Sequence, residues 1–491
     1  MAVTLNCKKS LAPKYWARMR GSLAASLIAA GCVLAAVPAR AETLHQALAA
    51  AYKYNPQIDA ERARLRSTDE NVSIANSGFR PNIGASADVT RDWQRTRPPS
   101  VGDGGNTSKG YSVSLSQPIF NGFQTINSVN VAEAGVRAGR ETLRATEQGI
   151  LFQAVTAFMD VIRDQAIVRL RENNVNVLSR ELQATRDRFA VGEVTRTDVA
   201  QAEARRAASI SALDVARSNL KISRATFERV IGHPPSRLVE PSPYARLPKS
   251  QDEAIAVATR ESPQVVAALY SEQAARFTVD RIWGELLPSV TLDAGYSQRF
   301  DPSQSIDERE GASVSGRVNI PIYQGGAVHA RVRQAKHDHL ATLQDIETAR
   351  TSAREGVLSA WAQLTASRAQ LESDQAAVTA ARTALTGVRE EQKVGQRTIL
   401  DVLNAEQEYL SSQVQLETTR RNLVVNSYLV LQSVGRLSSE NLSLTKLVYD
   451  PDVHYSEVRR KWWGISITHS DGRREELDLW EKQGSKHKSA K

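Results

Sequence analysis

The 491-residue chain is one unit written twice, and this constrains its fold more than any other feature. Val191-Gly192-Glu193-Val194-Thr195-Arg196-Thr197-Asp198-Val199 returns as Val394-Gly395-Gln396-Arg397-Thr398-Ile399-Leu400-Asp401-Val402, an offset of 203 residues. The same offset relates Gln117-Pro118-Ile119-Phe120-Asn121-Gly122 to Ile320-Pro321-Ile322-Tyr323-Gln324-Gly325, and Ile231-Gly232 to Val434-Gly435. Upstream, Asn55-Pro56 and Arg80-Pro81 match Ser262-Pro263 and Leu287-Pro288 at an offset of 207, so the first copy has the longer insertion after Pro81. The copies occupy residues 42–234 and 251–446, and a Pro-rich linker, 235–250, separates them.

Each copy alternates between two periods. Ile83, Ala85, Ala87 and Val89 alternate with Gly84, Ser86, Asp88 and Thr90, and Tyr111, Val113 and Leu115 alternate with Ser112, Ser114 and Ser116. This is the period of a β-hairpin, expected at about 82–119. Val290, Leu292, Ala294 and Tyr296, then Val314, Val318 and Ile320, repeat it at about 289–321. Strands of nine to eleven residues, joined by polar loops at 94–109 and 300–311, are long enough to cross a bilayer when tilted. A soluble half-buried hairpin has the same alternation; an export signal favours the membrane. Elsewhere the pattern is helical. Val357, Leu364, Leu371, Val378 and Leu385 recur every seven residues, as do Ala154, Val161, Val168, Val175 and Leu182, which predicts coiled-coil packing. Proline-free long helices are expected at about 122–191 and 325–394, each about 100 Å long. Shorter helices are expected at 43–80, 196–231, 251–286 and 399–434. The second and third of these, end to end across the linker, would match one long helix.

Residues 1–41 read as a secretory signal: Lys8, Lys9, Lys14, Arg18 and Arg20 precede an apolar run from Leu23 to Val37 that ends at Ala39-Arg40-Ala41. A second reading, lipidation of Cys32 after Ala30-Gly31, stays open. Cleavage after Ala41 removes Cys7 and Cys32 and leaves no disulfide chemistry. It also lowers the charge balance from 63 basic and 54 acidic residues to 57 and 54, which removes most of the support for a nucleic-acid partner. No later run is apolar enough for a membrane-spanning helix, so any crossing is by strands. Four strands do not close a barrel, and an open edge in lipid leaves backbone groups unpaired. The chain must therefore oligomerise: eight strands from two copies enclose a side-chain-filled interior, whereas twelve from three leave a lumen.

The doubled plan, the strand-end motifs at 117–122 and 320–325, and the Val-Gly-x-x-Thr-x-x-Asp-Val turn at both tips resemble the TolC family of outer membrane channels. The resemblance covers about 43–445. It implies a mainly α fold with a small β part: a homotrimer whose four strands per chain complete a twelve-stranded barrel in outer membrane lipid, continued by a coiled-coil α-barrel in the periplasm. It also implies a passive exit duct of a tripartite efflux pump or type I secretion system, docked to an inner-membrane transporter through a periplasmic adaptor.

Carried over residue by residue, the resemblance puts the channel aperture at Asp401 (first acidic ring), Arg397 (Arg tie), and the first-copy partners Thr197 and Asp198. Asn404 stands where a second acidic ring is usual and Gln392 where a tyrosine tie is usual, which implies a less tightly held closed state and weaker cation block. Three Asp401 carboxylates around one axis would repel, raising their pKa unless a cation or Arg397 compensates. Thr195-x-x-Asp198 and Thr398-x-x-Asp401 also read as helix capping boxes, compatible with either role. Val191, Gly192, Glu193, Val394, Gly395 and Gln396 are the tips expected to meet an adaptor. Trp93, Tyr111 and Tyr296 fit either an interface girdle or simple packing.

No catalytic constellation, phosphate loop or cofactor motif is present, and His337-x-His339 faces two sides of a helix, which argues against a metal pair. The competing reading, a periplasmic adaptor or coiled-coil scaffold without a pore, would place β-modules around a single helical hairpin. Here hairpins sit twice between long helices. The tail, 447–491, lies outside the repeats and is expected in the periplasm, and its Lys-rich end, Gly484 to Lys491, reads as disordered.

Overall fold

The computed structural model describes residues 41–95, 97, 104–445, 448–468 and the backbone of 474–475. The signal segment with Cys7 and Cys32, and the Lys-rich end, lie outside these. In chain order the elements are α1 (Leu44–Tyr54), α2 (Pro56–Asn76), β1 (Asn82–Gln94), β2 (Gly104–Asn121), α3 (Gln124–Ala190), α4 (Arg196–Ile231), α5 (Gln251–Glu261), α6 (Pro263–Trp283), β3 (Ser289–Ser303), β4 (Ile306–Asn319), α7 (Ala327–Lys393), α8 (Ile399–Ser433) and α9 (Pro451–Arg459), followed by a two-residue ladder of Ile467–Thr468 with Arg474–Glu475. The long helices α3 and α7 have 67 residues each, as the duplication requires.

Three expectations are corrected. The helices expected at 43–80 and 251–286 are each two helices, broken at Asn55 (ψ 121°) and Ser262 (ψ 129°). Both residues precede a proline, whose ring disfavours the α conformation in the residue before it. The strands have 13, 18, 15 and 14 residues, not nine to eleven, and they run into the stretches read as polar loops, with pairs such as Trp93↔Gly105 and Arg299↔Arg309. Apolar alternation covers only part of each strand; the backbone ladder continues beyond it because polar side chains do not interrupt N–H···O pairing. Finally, α4 does not stack on α5 and α6 across the linker. Its C-terminal end abuts the α1–α2 break, where the Asn55 side-chain amide donates to the Val230 carbonyl at 2.9 Å. The end of α8 meets the α5–α6 break in the equivalent way, with Gly435 (φ 79°) against Glu261 and Ser262. The stacking is thus within each copy, and residues 235–250 cross the layer between copies, with Leu238, Tyr244 and Leu247 on the core.

The helices form a layer. Its half nearer the strands runs α2, α3, α6, α7, and its far half runs α4, α3, α8, α7. The main core lies midway along α3, where Leu48, Ile58, Leu151, Phe158, Phe227 and Leu431 meet from α1, α2, α3, α4 and α8.

The sheet is antiparallel in the order β1-β2-β3-β4. Its register aligns Ile83↔Leu115↔Ala294↔Val314 and Ala85↔Val113↔Tyr296↔Ala312 on one face. On the other it aligns Gly84↔Ser114↔Gly295↔Ser313 and Ser86↔Ser112↔Ser297↔Gly311. A slip of one residue would exchange the faces, so this pairing is strongly specified. The bulge at Pro118/Phe120 accommodates a proline with no N–H to donate. The outer edges of β1 and β4 have no partner strand among the described residues.

Candidate functional site

The two tips at the end of the helical layer farthest from the sheet are built alike. At the end of α3, Gly192 takes the left-handed conformation (φ 79°), which lets the Glu193 N–H donate back to the Arg188 carbonyl at 2.9 Å. At the end of α7, Gly395 (φ 80°) does the same and the Gln396 N–H donates to the Glu391 carbonyl at 2.9 Å. A left-handed residue costs glycine little, and the bonds satisfy carbonyls that the helix end leaves open. Three residues after each glycine the next helix starts with a capping box. Thr195 Oγ1 and N–H donate to Asp198 Oδ2 at 2.7 and 2.9 Å, and Thr398 Oγ1 and N–H donate to Asp401 Oδ2 at 2.8 and 3.0 Å.

These bonds favour the ionised form of Asp401. The Thr398 N–H and hydroxyl, with Arg397 adding its positive charge, hold its carboxyl below the usual aspartate range. Within one chain the compensation therefore outweighs burial. The Arg397 guanidinium itself pairs with Glu391 of α7 at 2.8 Å and is held in its charged form by Glu391 and Asp401.

A cleft of about 510 Å³ between the tips gathers Glu193, Asp198, Gln392, Val394, Gly395 and Arg397 of the expected site residues, with Arg188 and Lys393. Thr197 is exposed and outside this lining, as are Val191, Gly192 and Gln396. Asn404, one turn into α8, accepts a hydrogen bond from Arg205 of α4 at 2.9 Å, so it ties the two return helices to each other. Leu178, Ile399 and Leu403, with Val194 against them, form a small apolar plug directly behind the cleft.

Sequence reasoning missed the ion pairs above the tips. Arg186 of α3 pairs with Glu203 of α4 at 2.6 Å, and Arg389 of α7 pairs with Glu406 of α8. The members of each pair are 17 residues apart across a turn, so no helical periodicity relates them, but the two pairs are related by the 203-residue offset. They are not equal. The first is half exposed on both sides, whereas Glu406 is buried, and burial raises its pKa against the pull of Arg389, with Glu181 pushing the same way as burial. His339 pairs with Glu272 of α6 at 2.7 Å, and no group of three or more potential metal ligands occurs among the described residues.

The model of the outer membrane efflux protein family matches residues 47–233 and 254–436, one match for each copy. The chain is 40% identical over 453 residues to the outer membrane efflux protein BepC of Brucella suis, covering 92% of this chain and 97% of that protein. It is 25% identical over 413 residues to the outer membrane protein TolC of Vibrio cholerae, covering 82% of this chain and 92% of TolC. The fold is that of the Campylobacter jejuni CmeC outer membrane channel, with a TM-score of 0.72 at 14% identity over 85% of this chain and 89% of CmeC. That architecture, with strands embedded twice between long helices, rules out the adaptor and scaffold reading. The chain belongs to the outer membrane efflux protein family, a family of passive channels in the outer membrane of Gram-negative bacteria.

Proposed function

We propose that three copies of this chain associate side by side, β4 of one against β1 of the next, into a twelve-stranded barrel that opens into a tube of helices. The observation that carries this reading is the register of the sheet: in the rows nearer the helices one face is apolar and the other largely serine and glycine, and neither outer edge has a partner strand among the described residues. An unpaired edge in hydrocarbon is costly, and closure removes it. Twelve strands leave a bore with the small polar residues inside. The helical layer continues from the same end and reaches about 100 Å into the periplasm.

At the far end, Asp401 from the three chains forms an acidic ring around the axis, with Arg397, Asn404, Gln392, Thr197 and Asp198 about it. The ring favours cations in the closed tube. The tips, Val191 to Glu193 and Val394 to Gln396, meet the hairpins of a periplasmic adaptor, which couples the duct to an inner-membrane transporter that supplies the energy. This agrees with the efflux function for which BepC is named.

The test is conductance of the purified protein in planar bilayers, wild type against Asp401→Ala, with and without a multivalent cation. Small cation-selective currents that the cation blocks, with block lost in the variant, are expected. A folded protein that gives no current, or block unaffected by Asp401→Ala, overturns respectively the pore or the position of its constriction.

A further inference from the structure

The tail after the second copy, which the function above leaves unused, is fastened so that it delivers an apolar segment to the base of the sheet. Helix α9 is held along α2 and α3 at successive points. Asp452 pairs with Arg140 at 2.6 Å, His454 Nδ1 meets the buried Asp69 carboxylate at 2.9 Å, and Tyr455 and Arg459 both reach Glu133 at 3.2 and 3.0 Å. Val458 is buried. The partners then move up α2: the Lys461 carbonyl accepts from Ser73 Oγ at 3.4 Å and from the Arg80 guanidinium at 2.8 Å. Arg80 is two residues from the start of β1, and its guanidinium also lies over the Trp462 ring at 4.9 Å.

What arrives there is Trp462-Trp463-Gly464-Ile465-Ser466-Ile467, preceded by Arg459-Arg460-Lys461. Trp462 is 69% exposed and Trp463 91%, and Ile465 and Ile467 are about half exposed. Phe79 and Phe123, next to the sheet base in sequence, are half exposed too. A chain that buries Val458 four residues earlier has not run out of protein surface; it turns two tryptophans outward at the level where the apolar face of the sheet begins.

We propose that residues 462–467 are a membrane-surface anchor that inserts into the headgroup region of the phospholipid leaflet facing the periplasm. Indole rings favour this boundary because their apolar body enters the acyl region while the N–H stays among headgroups. The adjacent Arg460, which is exposed, places positive charge beside lipid phosphates, while the Lys461 ammonium folds back and donates to the Ser466 carbonyl at 2.7 Å. The anchor clamps α2, α3 and the base of β1 to the leaflet through Arg80, so the helical tube is held at a set height below the membrane. The inference rests on the reading that the sheet crosses the membrane, and the experiment separates the two.

A thiol-reactive, environment-sensitive fluorophore is placed in a Cys7→Ser/Cys32→Ser background at one of three sites. These are Trp463→Cys in the anchor, Val453→Cys on the exposed side of α9, and Val314→Cys on the apolar face of β4. The full-length protein is reconstituted in phosphatidylethanolamine and phosphatidylglycerol vesicles, and emission is quenched with shallow doxyl-labelled phosphatidylcholine or with aqueous iodide. The label at 463 is expected to lose emission to the doxyl lipid and to resist iodide, the label at 453 to do the reverse, and the label at 314 to be quenched by lipid. If 314 is quenched by lipid while 463 is quenched by iodide, the anchor is wrong and the barrel stands. If 463 resists both quenchers, protein covers it, a neighbouring copy or a partner, and the lipid assignment falls. If 314 is not reached by lipid, the membrane reading of the sheet fails first.

Discussion

Helices α3 and α7 have the same length and the same place in their repeats, yet α3 buries 20 residues and α7 nine. The cause is position in the layer. α3 is flanked on one side by α2 and α4 and on the other by α6 and α8, whereas α7 packs against α5, α6 and α8 and has no helix packed along its other side among the described residues. Leu340, Leu343 and Leu358 on α7 are left exposed, as are Val215 and Ile222 on α4 at the opposite edge. Duplication supplied two equal helices; being at the rim leaves one of them unfinished, and in the proposed trimer α4 of a neighbour completes it. The difference between the two copies is thus a measure of what a single chain lacks.

The sharpest break in this comparison is a core truncation. Phe158→Ala in the middle of α3 is expected to destabilise the fold by about 3–5 kcal/mol. Trp361→Ala, the equivalent position on the half-covered α7, should cost distinctly less in the isolated chain and more in the assembled protein. Denaturant unfolding of detergent-solubilised protein, monomeric and assembled, measures both. An equal cost in both states would mean that α7 gains nothing from a neighbour. Next in size, Leu358→Glu is expected to leave the helical content unchanged and to prevent assembly, read by light scattering. A trimer that persists removes this rim from the interface.

The ion pairs above the tips sharpen the comparison on a smaller scale. Arg389→Ala leaves the buried Glu406 without its partner and is expected to cost about 1–3 kcal/mol. Arg186→Ala breaks a pair exposed on both sides and should cost no more than about 1 kcal/mol. The smallest effects are at the caps, where Thr195→Val or Thr398→Val removes a bond worth about 1 kcal/mol. Thr398→Val carries a pH signature as well. A carboxylate held below its unfolded value, 3.8 for Asp401, contributes stability above that pH and loses it as pH falls through the folded value. Removing the Thr398 hydroxyl raises the folded value, so the pH below which cation selectivity disappears should move up. An unchanged profile would show that Thr398 does not tune the ring.

The repeat, the faces of the strands and the Gly-Thr-Asp chemistry of the tips were legible because each is local: alternation needs only a sheet, and a cap only its own turn. The breaks at Asn55 and Ser262 are encoded locally by Pro56 and Pro263, a signal that the expected helix spans 43–80 and 251–286 run through. Other features were settled by packing between distant segments. The stacking of α4 under α2 depends on Asn55 finding Val230, and the path of α9 depends on His454 finding Asp69, more than 380 residues away. The Arg389–Glu406 pair needed the turn to be folded before its members became neighbours. In the site, the tips were placed by sequence, while Arg205–Asn404 and the apolar plug at Leu178 came from helices meeting across the two copies.

The serine and glycine rows on the polar face of the sheet have a further consequence. Side chains this short barely project from the backbone, so at these rows the clearance of the proposed barrel is set by strand number and tilt, whereas the row Asp88↔Gly110↔Arg299↔Arg309 farther from the helices carries long charged side chains on the same face. In the proposed barrel the bore is therefore fixed by backbone alone at the serine and glycine rows and set by charged, movable side chains toward the outer mouth.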